Sequence, residues 1–133
     1  VALRILLADD FAIVRQGLKA LLESQDGWTV VAEAENGEEA LEKARALLPD
    51  IVIADIGMPR MDGLELTRHL REALPDTEVL VVTQHNSRHM MRELMNAGAR
   101  GYVVKSSVAE DLIGAVQAAS EHREFISEAV EHS

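Results

Sequence analysis

Five short apolar, β-branched runs alternate along this chain with five amphipathic stretches, and that alternation restricts the fold more tightly than any other feature. Leu3–Ala8 (LRILLA), Thr29–Ala34 (TVVAEA), Ile51–Ala54 (IVIA), Glu78–Val82 (EVLVV) and Gly101–Val104 (GYVV) have strand length. Most are apolar at consecutive positions, the mark of strands covered on both faces. The pattern therefore predicts an α/β domain whose parallel sheet is sandwiched between helices. The second run turns polar and alternating through Glu33 and Glu35, which places it at a sheet edge.

The intervening stretches carry apolar side chains at helical spacing. Val14, Leu18, Leu21 and Leu22 mark the first helix, Ala40, Leu41, Ala44, Leu47 and Leu48 the second, and Leu66, Leu70, Ala73 and Leu74 the third. Met90, Met91, Leu94 and Met95 mark the fourth, and Leu112, Ile113, Val116 and Ala119 the fifth. Asn36, Asp62 and Ser107 each precede a Glu by three residues, the reciprocal arrangement that satisfies free amides at a helix start. Pro49, Pro75 and Gly98 close helices two, three and four.

At 133 residues the chain fits one domain with a single core. It has no cysteine, so disulfides, thiol nucleophiles and Cys-based zinc sites drop out. A net charge of −10 opposes direct binding to a phosphate backbone, so DNA contact would need another domain. No apolar run approaches the roughly 20 residues of a membrane helix. The start, Val-Ala-Leu-Arg, runs straight into a strand without a secretory leader, and the expected location is cytoplasmic.

In an open α/β sheet, ligands bind beyond the carboxyl ends of the strands. There the sequence places Asp9-Asp10 after the first strand, Asp55 after the third, Thr83 after the fourth and Lys105 after the fifth. A single polar residue at a strand end needs no function, but four strands of five delivering ionic or hydroxyl groups to one rim is a constellation. Three clustered carboxylates repel one another and call for a cation. Oxygen donors without His or Cys suit a hard ion such as Mg²⁺, and a nearby lysine and threonine supply what phosphoryl transfer needs.

These residues resemble the receiver domain of bacterial two-component response regulators, most closely the LuxR/NarL-type transcriptional regulators. Leu6-Leu7-Ala8-Asp9-Asp10 is similar to the family's acidic pair, and the stretch from Ile51 through Asp55 and Gly57 to Gly63 is similar to its phosphoacceptor segment. Gly98-Ala99-Arg100-Gly101-Tyr102-Val103-Val104-Lys105 is similar to its lysine strand. The resemblance implies a flavodoxin-like (βα)5 fold with five strands in the order 2-1-3-4-5. It implies that Asp55 accepts a phosphoryl group from a sensor histidine kinase. Mg²⁺ would be held by Asp9, Asp10, Asp55 and the Gly57 carbonyl, Thr83 would contact the phosphoryl oxygen, and Lys105 would pair first with Asp55 and then with the phosphoryl group. Tyr102 would rotate inward from a more exposed position as Thr83 moves, switching a face made of the fourth helix, fifth strand and fifth helix. The chemistry would be self-catalysed phosphoryl acceptance and autodephosphorylation, with a homodimer on activation.

Two positions depart from the family pattern. Ser106 stands where proline is common after the lysine, and Gln84 stands where a small residue is usual after the threonine. His85 and His89 have the i, i+4 spacing of a helical metal pair, but a cap at Asn86 or Ser87 falls between them, so they need not share a face. An aspartyl-phosphate hydrolase would carry a second Asp where Gly57 stands. A nucleotide or flavin module would need glycines where Asp9-Asp10-Phe11 stands. The remaining alternative is a single-domain or phosphate-independent protein-interaction module.

Residues 1–122 are assigned to the receiver-like domain. Residues 123–133 resemble the start of the connection that leads, in LuxR/NarL-type regulators, to a helix-turn-helix domain. Contact with DNA would come only through that output domain, and no membrane partner is expected.

Overall fold

The computed structural model describes residues 2–130. Its elements alternate as the sequence predicts: β1 (Leu3–Ala8), α1 (Ala12–Glu23), β2 (Trp28–Ala34), α2 (Gly37–Leu47), β3 (Ile51–Ala54), α3 (Gly63–Ala73), β4 (Glu78–Thr83), α4 (Arg88–Ala97), β5 (Gly101–Val104) and α5 (Val108–Ser120). A single 3₁₀ turn over Lys105–Ser107 joins β5 to α5, and a two-residue strand β6 (Phe125–Ile126) follows. All pairings are parallel and the order is β2-β1-β3-β4-β5-β6, so the doubly wound order 2-1-3-4-5 is present with one strand added at its end.

Successive residues of a strand face opposite sides, and the sheet deals its apolar side chains into two cores accordingly. Leu6, Ala8, Val52, Ala54, Val79 and Val81 pack with Leu41, Leu66, Leu70 and Leu94 from α2, α3 and α4. Ile5, Leu7, Ile51, Ile53, Leu80 and Val82 pack with Leu18 and Leu22 of α1 and Leu112 and Val116 of α5. β2 lies at the edge that its polar alternation predicts, with only one neighbour.

The capping predictions hold in part. Asn36 accepts from the Glu39 amide at 2.8 Å and Asp62 from the Glu65 amide at 2.9 Å. The Glu39 carboxylate turns instead to Lys43, 2.9 Å away. Ser107 does not cap α5. It belongs to the 3₁₀ turn and lacks the extended backbone of a cap (φ −120°, ψ 19°), and its hydroxyl lies 3.0 Å from Asp111 Oδ2 and 3.2 Å from the Val104 carbonyl. Ser87 caps α4 through the Met90 amide. Gly98 ends that helix at φ +114°, a conformation glycine adopts without strain.

The segment read as the beginning of a connection lies on the sheet as far as the structure describes it. Phe125 N–H donates to the Arg100 carbonyl at 3.3 Å and Ser127 N–H to the Tyr102 carbonyl at 2.9 Å. Val130 is buried in the same apolar cluster as Tyr102 and Val104. A two-residue strand has no hydrophobic period to read, and its partner is the open edge of β5. The turn leading into it is tied down at the amino end of β4. There the buried Glu78 carboxylate accepts from Arg100 Nε at 2.8 Å, with Arg71 Nη1 at 3.5 Å and His122 Nδ1 at 2.8 Å. Among the described residues, no helix is long and apolar enough to cross a membrane.

Candidate functional site

Because β1, β3, β4 and β5 are neighbouring parallel strands, Asp9, Asp55, Thr83 and Lys105 meet at one rim. Carboxylate oxygens of Asp9, Asp10 and Asp55 lie within 4.8 Å of one another. Lys105 Nζ bridges two of them, 3.1 Å from Asp9 Oδ2 and 3.1 Å from Asp55 Oδ2. Asp9 is buried, and its other oxygen accepts from the Phe11 amide at 2.9 Å. Burial alone would lower the Lys105 pKa, but hydrogen bonds to Asp9 and Asp55 and the charges of both outweigh it, leaving the ammonium above its ordinary range.

One ammonium does not satisfy three carboxylates. Asp10 Oδ1 is buried without a hydrogen-bond partner, an arrangement that costs roughly 1–3 kcal/mol if nothing binds there. Oxygen donors only, in excess negative charge, with an orphaned buried oxygen on one of the three acids, fit a hard divalent cation. Of the four groups named from the sequence as metal ligands, the fold gathers the three carboxylates, Asp9, Asp10 and Asp55. Among the described residues they form the candidate metal-binding group, and His85 and His89 take no part in it. His89 Nε2 pairs along α4 with Glu93 at 2.7 Å.

The supporting shell contains residues that the sequence reading passed over. Arg15 of α1 donates to the Asp9 carbonyl at 2.6 Å and to Glu33 Oε1 of β2 at 3.1 Å, bracing the acidic turn from outside. The available signal was its place in the first turns of the helix that leaves the acid pair. Gly57 is exposed on the β3–α3 loop, and its amide lies 3.4 Å from Asp55 Oδ1. That loop rests against the start of α2, where a Cβ on Gly37 would stand 2.1 Å from the Met61 carbonyl oxygen. Glycine there permits the close approach.

Thr83 is fully buried, and its hydroxyl oxygen accepts from the His85 amide at 3.3 Å. Tyr102 is fully buried as well, with its hydroxyl donating to the His85 carbonyl at 2.7 Å, and burial pushes the phenol up to about 12. The exposed starting position expected for Tyr102 is therefore not the one observed. The inward position is already favoured, because the β4–α4 loop offers its hydroxyl a carbonyl. Gln84 and Ser106 are both exposed, and the Lys105–Ser106 peptide is trans.

Comparison with known proteins agrees with this geometry. The family model described as the response regulator receiver domain matches residues 5–117. The transcriptional regulatory protein YdfI of Bacillus subtilis is 40% identical over 116 residues, which cover 87% of this chain and 54% of that protein. The response regulator GacA of Pseudomonas viridiflava is 38% identical over 94% of this chain and 58% of its own length. The chain thus spans a little over half the length of these curated relatives. Among solved structures, a LuxR-family two-component response regulator from Aurantimonas superposes with a TM-score of 0.94 at 38% identity, covering 98% of this chain and 93% of that one. The signal receiver domain of the response regulator NarL from Mycobacterium tuberculosis superposes with a TM-score of 0.87 at 30% identity, covering 92% and 98%. The acidic rim, its bridging lysine and these matches agree, and the chain belongs to the response regulator receiver family.

Proposed function

We propose that this receiver accepts a phosphoryl group on Asp55 from a sensor histidine kinase, with Mg²⁺ as its metal, and relays that event to an output domain that regulates transcription. The observation that carries the reading is Lys105 held between Asp9 and Asp55, in a carboxylate cluster whose third member, Asp10, has a buried oxygen without a partner. Asp9 and Asp10 would hold the ion together with Asp55 and the Gly57 carbonyl. When bound, the ion neutralises the carboxylates and the oxygens of the incoming phosphoryl group.

Asp55 then acts as the nucleophile. One carboxylate oxygen forms the P–O bond in line with the breaking P–N bond of a phosphohistidine, and the electron pair of that bond leaves with the imidazole. The product is an acyl phosphate. Lys105 needs only to exchange one carboxylate oxygen for a phosphoryl oxygen to follow the charge, and the Thr83 hydroxyl, at the end of the next strand, donates to the same group. Withdrawal of Thr83 from the His85 amide would disturb the loop that holds the Tyr102 hydroxyl, so the switch works through the β4–α4 loop with Tyr102 already inside.

The transcriptional output rests on the relatives' names, which are those of transcriptional regulators, and on a solved RcsB–DNA complex that superposes with a TM-score of 0.91 at 26% identity. A structure described as two RcsB dimers on DNA supports a homodimer as the active form. In this reading residues 123–133 begin the linker, docked on β5 through Val130, and the protein works in the cytoplasm. Intact mass after incubation with acetyl phosphate and Mg²⁺ tests the proposal. One phosphoryl group on the wild type, none on Asp55→Asn and none with the metal chelated, is the expected result. No adduct on a folded wild type would leave the phosphate-independent interaction module.

A further inference from the structure

We propose that Ser127, beyond the family-matched residues 5–117, is a positioning residue for Lys105. The inference rests on the phosphoacceptor reading of Asp55. The β5–β6 ladder ends at the pair Tyr102–Ile126, three residues before Lys105, where the turn begins. At Val104 the strand's outward amide would be left buried and unpaired, and the Ser127 hydroxyl oxygen accepts it at 3.1 Å. Ser127 in turn donates to Asp111 Oδ2 at 2.7 Å, and the Ser107 hydroxyl reaches the same oxygen at 3.0 Å. Val104 and Ser107 flank Lys105 on either side, so the backbone that aims its ammonium is gripped at both ends through one carboxylate. Ser127 is 2% exposed, so water does not replace it in this role.

The segment that carries Ser127 is itself anchored twice, at the Glu78–His122 contact where the chain leaves α5 and at buried Val130. The phosphoacceptor site is therefore completed by a segment outside the (βα)5 unit. Removing the hydroxyl should let Lys105 drift from Asp9 and Asp55 while the carboxylates stay in place.

The test compares the 133-residue wild type with Ser127→Ala and Ser127→Thr. It reads phosphoryl uptake from acetyl phosphate by intact mass, Mg²⁺ affinity by calorimetry, and amide hydrogen exchange at Lys105–Ser107. Ser127→Ala should slow uptake about 3–10-fold and speed exchange of those amides about tenfold. Its Mg²⁺ affinity should hold or rise, because a looser ammonium competes less for Asp9 and Asp55. Ser127→Thr, which keeps the hydroxyl, should stay within about twofold of wild type. Unchanged uptake and exchange in Ser127→Ala would overturn the proposal. So would equal slowing in the threonine variant, or a loss of Mg²⁺ affinity in step with uptake, which marks general loosening. If the wild type takes no phosphoryl group, the Asp55 reading fails by itself, and exchange and Mg²⁺ affinity still decide on Ser127.

Discussion

The Tyr102 hydroxyl donates to the His85 backbone carbonyl across 2.7 Å, fastening the loop after β4 to the middle of β5. His85 lies two residues past the end of β4, the strand beside β5, and its amide rests on the Thr83 hydroxyl. One peptide stretch thus contacts both the hydroxyl proposed to meet a phosphoryl group and the buried ring of Tyr102.

Because Tyr102 is the only tyrosine, its titration can be followed directly by tyrosinate absorbance. The midpoint should fall near 12 in the folded protein and near the ordinary 10.0 in urea. A pKa raised by folding contributes stability that is complete below the unfolded value and lost as pH rises through the folded one. Wild type should therefore exceed Tyr102→Phe by about 0.5–1.5 kcal/mol at pH 7, through the hydrogen bond. Above pH 10 that advantage should shrink, as measured by urea unfolding across pH.

The rim should respond to metal in opposite ways when its charges are altered. Mg²⁺ should raise the melting temperature of wild type, and Asp10→Ala should abolish the rise while stabilising the metal-free protein slightly, since one repelling carboxylate is gone. Lys105→Met should bind Mg²⁺ more tightly, and its phosphoryl uptake should fall about 10²-fold. The Lys105 contribution to stability should be constant below the ordinary lysine value of 10.5 and fade as pH rises above it through the raised folded value. Scanning calorimetry with and without chelator checks the metal effects.

Glu78→Gln should destabilise the fold by about 1–3 kcal/mol in urea unfolding, less than the ~3–5 kcal/mol for breaking a fully buried ion pair. The discount follows from Arg71 and Arg100, whose side chains are 28% and 32% exposed and are solvated once the carboxylate is lost. Hydrogen exchange at Phe125 and Ser127 should quicken in the same variant, because His122 loses its anchor.

Gly37→Ala should cost about 1–3 kcal/mol, the usual range for overpacking a close contact. Its Cβ would press on the Met61 backbone rather than on a flexible side chain. The β3–α3 loop must then shift, so Mg²⁺ affinity should fall as well. A calorimetric titration that matches wild type would show that the loop absorbs the methyl without moving Gly57.

Much of this was legible from the chain. The strand runs were long and apolar enough to fix the sheet, and Asp9, Asp10, Asp55, Thr83 and Lys105 stood out because each follows a strand. What escaped depends on three-dimensional neighbours rather than on period or position. Phe125–Ile126 is too short to show alternation and exists because β5 has an open edge. Ser107 has the sequence of a cap, but the 3₁₀ turn denies it the geometry. Arg15 acts on a backbone carbonyl six residues back, with only its place at the start of α1 to mark it, and Ser127 acts on an amide 23 residues away that nothing local marks. The resting position of Tyr102 follows from a carbonyl 17 residues distant, which no reading of the strand alone supplies.

Because β6 runs parallel to β5, the chain that left the rim through α5 is carried back toward it before Val130. A cargo joined beyond that point would start from the end of the sheet that bears the acidic cluster, not from the far end of the last helix. A short flexible tether would hold that cargo at an effective concentration on the order of millimolar. Even a weak contact between such a cargo and the rim would be heavily populated, and would compete for access to Asp55 with any donor arriving from solution.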